Sequence, residues 1–287
     1  MSAVFHHSCI TCSNETLASL GAEYSHAYLV RCMSCGLTFG KRVPTQAELA
    51  AHYNKYLRNN AISPVTIKRY EELLEQFEPY RKNNKILDVG CGDGHFLAVA
   101  KTKGWEVYGT EYTDEAVTVC LKKGITIHKG HIQEFTLAAD FDVITSFEVL
   151  EHINDGIEHV AKISSLIRSG GLLYFTTPNF NALSRRVLGG KWKIIEYPEH
   201  LCYYTPSTLH ALMKMSGLNK QLVLTTGCAM QKYYASTAEG QRKIASDENL
   251  RSSIESKWFL QLAKRGINGV LNVFRLGDTL KGYYLKP

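Results

Sequence analysis

Short apolar runs alternate with amphipathic segments through the middle of the chain, and the two periods separate cleanly. The runs at 85–90, 105–111, 125–129, 141–146 and 172–177 are rich in Val, Ile, Leu, Tyr and Phe, as strands covered on both faces are. Between them, 94–103, 114–123 and 155–168 carry apolar residues every three to four positions and predict helices, the last ending at Gly170 and Gly171. Strands and helices in this alternation predict an α/β fold, a mostly parallel doubly wound sheet with helices on both faces. Upstream, Tyr70, Leu73, Leu74 and Phe77 mark one face of a helix over 67–80, part of a helical linker at 44–84 in which Thr45 and Glu48 form a capping box. That helix packs on the main domain or roofs its pocket. Downstream, 179–205 interrupts the rhythm with aromatic and basic residues, an insertion placed where an acceptor pocket would be built. A helix at 207–215 and a strand at 220–225 resume the core, 241–274 reads as helical, and 278–287 ends in a last strand.

The most specific local signal is LDVGCGDG at 87–94, an apolar strand running into a glycine turn and then a helix. Gly90, Gly92 and Gly94 allow backbone to approach a ligand closely, and the helix start directs N–H groups into the same crevice. A dinucleotide fingerprint reads G-x-G-x-x-G, whereas this turn is G-x-G-x-G with Asp88 before it and Asp93 inside it. Two carboxylates would repel a pyrophosphate and suit a ligand with positive charge. An acidic residue about 20 positions further on, Glu111, is placed to accept hydrogen bonds from ribose hydroxyls.

The 87–94 segment resembles the first motif of the class I S-adenosylmethionine-dependent methyltransferases. The resemblance implies a Rossmann-like sheet of seven strands, with 280–285 as the antiparallel strand inserted between the fifth and sixth and 229–275 as a helical excursion. It implies that the donor is held at Asp88, Gly90, Cys91, Gly92, Gly94, Glu111 and Tyr112, with His131, Ile132, Gln133, Ser146 and Phe147 flanking the adenine. The family usually has an acidic residue where His131 stands. FEVLEHI at 147–153 resembles the segment after the fourth strand in methyltransferases similar to ubiquinone-pathway O-methyltransferases. Three roles are open for it: His152 as the base for an acceptor hydroxyl; Glu148, Glu151 and His152, with His200, as ligands of a divalent ion; or loop geometry alone. YPEHLCYYTP at 197–206 resembles a segment of methyltransferases in sugar and glycan pathways, which makes His200 a second candidate base with Tyr197, Tyr203 and Tyr204 as walls.

Composition adds a metal site and narrows the partners. Cys9 and Cys12, then Cys32 and Cys35, form two C-x-x-C knuckles, the arrangement of a structural zinc ribbon at 1–43. Cys91, Cys120, Cys202 and Cys228 lack such pairing and read as core or pocket thiols. The formal net charge of +6 is spread over scattered Lys and Arg, which points more to a solvated face or to anionic metabolites and membrane surfaces than to nucleic acid. No apolar run reaches membrane-spanning length and no basic-then-apolar leader is visible, so a cytoplasmic location is expected. The apolar run at 258–275 covers the pocket or packs, or else rests on a membrane surface or a partner. The expected protein is therefore a methyltransferase domain at 85–287 behind a zinc ribbon, methylating a small, sugar or glycan-like acceptor at oxygen. Its rivals are an RNA methyltransferase gripping nucleic acid through the ribbon, a C-methyltransferase of a nucleotide-linked sugar, and a non-catalytic binder of the same donor.

Overall fold

The computed structural model describes residues 3–53, 62–135, 140–227 and 258–287. The N-terminal segment supplies β1 (Val4–Phe5), β2 (Leu17–Ser19), β3 (Leu29–Cys32), β4 (Thr38–Gly40) and β5 (Arg42–Val43). The helices α1 (Gln46–Tyr53) and α2 (Pro64–Phe77) follow. Ser63 starts α2, its hydroxyl accepting from the Thr66 N–H with Pro64 at the first helical position, and Leu73, Leu74 and Phe77 are buried as their spacing predicts. The alternating middle of the chain folds as β6 (Lys85–Val89), α3 (His95–Thr102), β7 (Glu106–Glu111), α4 (Asp114–Lys122), β8 (Thr126–Lys129), β9 (Phe141–Phe147), α5 (Gly156–Leu166) and β10 (Ile167–Pro178). It continues with α6 (Leu183–Leu188), β11 (Cys202–Tyr203), α7 (Pro206–Met215), β12 (Asn219–Thr226), α8 (Trp258–Val273) and β13 (Thr279–Leu285).

Seven strands form one sheet in the order β12-β13-β10-β9-β6-β7-β8. Neighbours from β10 to β8 run parallel, while β13 is antiparallel to both β10 and β12. The last strand thus enters between the fifth and sixth, as the family resemblance implies. One face of the sheet buries Leu87, Val89, Ile144, Leu173 and Phe175 against α5, α7 and the ribbon. The other buries Ile86, Val143, Leu172 and Tyr174 against α2 and α3. Because the strands are parallel, their carboxyl ends line up along a single edge, and Asp88, Glu111, Phe147 and Pro178 meet there.

Three expectations need correction or completion. The helix expected over 155–168 stops at Leu166, and β10 begins at Ile167, because Ile167 pairs with Phe141 and is buried. The ladder then slips between Ile167 and Leu172, where Gly170 takes a left-handed φ of 73°. The ribbon sheet is completed from outside residues 1–43: β11, from the 179–205 insertion, pairs with β4 through Cys202 opposite Phe39 and Tyr203 opposite Thr38. Of the helical excursion expected at 229–275, residues 229–257 lie outside the described residues, as does Cys228. What is described of it, α8, buries Leu271 and is held by polar groups: Asn272 Oδ1 accepts from the Thr225 N–H and Asn268 Oδ1 from the Gly227 N–H, each at 2.9 Å. Ile267, Val270, Val273 and Phe274 stay exposed.

Candidate functional site

The glycine turn closes β6 at the carboxyl edge. Gly90, Gly92 and Gly94 have φ of 72°, 51° and 69°, a region that strains other residues, and the Gly90 and Cys91 N–H groups both donate to the Thr110 carbonyl at 3.0 Å. The three differ in what surrounds them. A Cβ on Gly90 would meet Val149 at 2.6 Å, and one on Gly94 would meet Ile125 at 2.6 Å and Cys120 at 2.8 Å. A Cβ on Gly92 would meet nothing within 4 Å, so this glycine borders the open crevice. No side chain caps α3, which starts at His95, so its first N–H groups stay oriented toward a ligand.

Asp88 is buried at 3% exposure, and Thr145 Oγ1 donates to its Oδ1 at 2.7 Å. Burial is the main cause that pushes its carboxyl up to about 8, opposed by the Thr145 bond and reinforced by Cys120 and Glu111. The carboxyl expected from the sequence to meet a cation is thus raised by its surroundings, and a bound cation would favour its ionised form. Glu111 at the end of β7 already accepts from the N–H groups of Gly92, Tyr112 and Thr113 at 3.0, 2.9 and 2.9 Å, which ties the second strand to the turn. The Cys91 thiol points inward, 3.9 Å from Cys120 Sγ, leaving only its backbone toward the crevice. Tyr112 is exposed and its ring lies 5.4 Å from that of His131. Ile132 and Ser146 are buried, whereas Phe147 packs between Tyr70, Phe96 and Tyr174.

Past β9 the candidate catalytic residues fall on two sides of β10. Thr177 Oγ1 donates to Glu151 Oε2 at 2.9 Å, and ligand atoms of Glu151, His152 and His200 lie within 4.8 Å of one another. The His152 and His200 rings are edge-on at 4.9 Å. His152 Nδ1 lies 2.8 Å from the Glu199 carbonyl and His200 Nδ1 2.7 Å from that of Ile194. A carbonyl only accepts, so in both rings Nδ1 carries the proton and Nε2 is the basic nitrogen. Glu148 is not part of this cluster, contrary to the metal set expected from FEVLEHI. Its φ of 52° turns the chain at the strand end, and its N–H donates to the Thr176 carbonyl at 2.9 Å. Its charge reaches Tyr174, whose phenol is raised first by burial, then by Tyr283 and Glu148. Tyr174 and Thr176 face α2, and Thr177, one residue on, faces the ribbon. A cavity of about 580 Å³ opens on the α2 side, with Tyr70, Phe147, Tyr174 and Thr176 among its walls.

Cys9, Cys12, Cys32 and Cys35 converge with their sulfurs within 4.8 Å, the pairs Cys9–Cys35 and Cys12–Cys32 at 3.5 Å. Tetrahedral zinc with bonds of about 2.3 Å sets its sulfurs about 3.8 Å apart, so the four thiols fit such an ion with little movement. N–H groups of Thr11 and Cys35 point at the Cys9 and Cys32 sulfurs at 3.4 and 3.5 Å, as turns that hold thiolates do.

Two further features are visible only in three dimensions. His52 of α1 pairs with Glu199 at 3.1 Å, and it is the Glu199 carbonyl that orients His152. Tyr70 of α2 lines the cavity beside Arg69 and lies near enough to Asp88 for that carboxylate to raise its phenol, after burial. The helical spacing places Tyr70 on the face that packs on the main domain or roofs its pocket. Neither Arg69 nor His52 carried a motif.

The methyltransferase domain family matches residues 53–223, more than half of the chain, and the chain belongs to that family, with the seven-stranded class I fold of S-adenosylmethionine-dependent methyltransferases. Among curated proteins it is similar to a ubiquinone biosynthesis O-methyltransferase of Paraburkholderia phymatum, at 32% identity over 47% of this chain and 64% of that one. It is also 26% identical to the protein of that name from Nitrosomonas europaea, over 67% of this chain and 88% of the relative. The first of these matches spans just under two thirds of the relative's length. In fold it resembles a SAM-dependent methyltransferase of Archaeoglobus fulgidus, with a TM-score of 0.52 at 17% identity, covering 77% of this chain and 94% of that one. It likewise resembles phosphoethanolamine N-methyltransferase 2 of Haemonchus contortus, with a TM-score of 0.53 at 17% identity over 85% and 57% of the two chains. Among the described residues no helix is long and apolar enough to cross a membrane.

Proposed function

We propose that the protein transfers the methyl group of S-adenosylmethionine to an oxygen of a small hydroxylated acceptor. The observation that carries this reading is the glycine turn, three left-handed glycines open to the crevice at Gly92 with Asp88 and Glu111 behind them. Gly90, Cys91, Gly92 and Gly94 would hold the donor by backbone, Asp88 by charge, and Glu111 and Tyr112 on the ribose side. His131, Ile132, Ser146 and Phe147 would enclose the adenine. When bound, the donor supplies a methyl group already activated by its sulfonium. The chain's own residues then have to align an acceptor hydroxyl, exclude water and take one proton. Glu148 is the proton acceptor in this reading, because it follows Phe147 at the end of β9 and its backbone pairs with Thr176, both walls of the cavity. Similarity to the ubiquinone biosynthesis O-methyltransferase of Paraburkholderia phymatum supports oxygen as the accepting atom.

Cys9, Cys12, Cys32 and Cys35 would hold one structural zinc ion, with 1–43 as the ribbon, 44–84 as the linker and 85–287 as the methyltransferase domain. Thiolate ligation of this kind suits the reducing cytoplasm. A second reading of the chemistry is favoured by the convergence of Glu151, His152 and His200, which would hold a divalent ion that acidifies an acceptor entering from the ribbon side. Calorimetry with S-adenosylmethionine, followed by tritiated methyl transfer to a panel of hydroxylated acceptors, tests the proposal. Donor binding and chelator-resistant transfer to hydroxyl-bearing acceptors are expected. Loss of transfer on chelation selects the metal reading, binding without any transfer leaves a non-catalytic binder, and salt-sensitive retention on RNA points to a nucleic-acid acceptor.

A further inference from the structure

Tyr70 borders both the donor crevice and the α2 cavity. It lies on α2 one turn before Leu73 and Leu74, which anchor the helix in the core beside Phe96. Its ring meets the Phe96 ring edge-on at 5.4 Å and the tilted Phe147 ring at 6.3 Å, and Phe96 and Phe147 close the triangle at 5.1 Å. Phe96 stands in the first turn of α3, just past the donor glycines, and Phe147 ends β9. Asp88 is close enough for its charge to act on the Tyr70 phenol. The same half-buried side chain is a wall of the cavity, together with Tyr174 and Thr176.

Methyl transfer needs its two reactants in line, so the methyl group has to sit where the donor crevice opens into the acceptor cavity. A side chain that belongs to both spaces faces that point. The sulfonium that carries the methyl group is positive, and the thioether left after transfer is neutral, so only groups that respond to charge can tell them apart. A phenol responds twice: its ring face attracts a cation, and its oxygen accepts the methyl C–H groups that the sulfonium polarises. Burial, then Asp88, raises the Tyr70 phenol, which keeps it a neutral hydroxyl at physiological pH. We propose that Tyr70 lies against the sulfonium of S-adenosylmethionine, aims its methyl group into the α2 cavity and distinguishes the charged donor from its neutral product. This deepens the methyltransferase reading and rests on it. A product held less tightly than the donor leaves the crevice sooner.

Calorimetry on the full chain with S-adenosylmethionine and with S-adenosylhomocysteine tests the proposal, because the two ligands differ only in the charged S-methyl group. Tyr70→Phe keeps the ring and its packing and removes the oxygen. It should weaken S-adenosylmethionine about fivefold and leave S-adenosylhomocysteine within about twofold. Tyr70→Leu also removes the ring face and should weaken S-adenosylmethionine at least about twentyfold, with S-adenosylhomocysteine weakened no more than about threefold. Retained S-adenosylhomocysteine affinity shows that a variant is folded, and if the leucine variant loses both ligands the phenylalanine variant decides. The proposal falls if Tyr70→Phe leaves both affinities unchanged, or if it weakens both equally, because Tyr70 would then touch no part of the donor or a part that donor and product share. Failure of the unsubstituted chain to bind either ligand overturns the underlying methyltransferase reading instead.

Discussion

The two halves of the carboxyl edge are built differently. On the donor half, at the ends of β6 and β7, the candidate residues lie within one strand–turn–helix unit and the strand beside it. Backbone geometry dominates: three positive φ angles, and one glutamate gathering three N–H groups. On the acceptor half, at the ends of β9 and β10, side chains drawn from α1, α2, the 193–200 loop and β13 meet around one strand. Thr176 and Thr177 separate a cavity on one side from a histidine cluster on the other. A donor common to many enzymes needs one backbone cradle. The acceptor differs between enzymes and is recognised by side chains that can vary without disturbing the fold.

The largest effect should fall on the acceptor half. If Glu148 accepts the proton, Glu148→Gln lowers kcat by about 10²–10⁴-fold with donor affinity unchanged, whereas His152→Asn costs under about tenfold. Single-turnover methyl transfer by both variants decides which side of β10 carries the chemistry, and the reverse order would move it to the histidine cluster. On the donor half, neighbouring glycines should separate stability from binding. Gly94→Ala adds left-handed strain and overlap with Ile125 and Cys120 and should cost about 2–4 kcal/mol in urea melts. Gly92→Ala has open space around it and should cost about 1 kcal/mol of stability, but at least about tenfold in donor affinity, because its methyl group enters the crevice.

A smaller effect sharpens the comparison through pH. Asp88 is raised from the usual carboxylate range to about 8, chiefly by burial. An acid raised on folding contributes stability that is complete below its ordinary value of 3.8 and is lost as pH rises toward 8. The melting temperature of the empty protein should therefore fall over that window, and less so in Asp88→Asn. Binding a cationic donor requires the proton to leave, so donor affinity should rise up to about tenfold per pH unit between pH 6 and 8. Calorimetry in buffers of different ionisation enthalpy should register the proton released. Asp88→Asn should bind with no such slope, about tenfold more weakly at pH 8.

How far each feature was legible follows from the range of the interaction behind it. The β6 turn, Glu111 and the four thiols belong to short motifs whose spacing reflects local geometry, and the last strand was placed through family resemblance. The limits of α5 were misread because Ile167 and Gly170 answer to pairing with β9, a contact no local window contains. Glu148 was grouped with Glu151 and His152 because the three are close in sequence. The left-handed turn at Glu148 and the alternation along β10 send them apart.

By itself, the sequence determined the alternating α/β order, the donor turn and the cysteine knuckles, because each depends on residues a few positions apart and on backbone rules that any sheet obeys. Only the tertiary structure decided that the Asp88 carboxyl is raised, since that follows from burial between strands. Only it decided that the ribbon sheet is finished by β11, that His52 reaches Glu199, and that Arg69 and Lys281 line one cavity. Those groups are brought together by packing across the sheet, and their charge and solvation are properties of the assembled edge rather than of any segment in it.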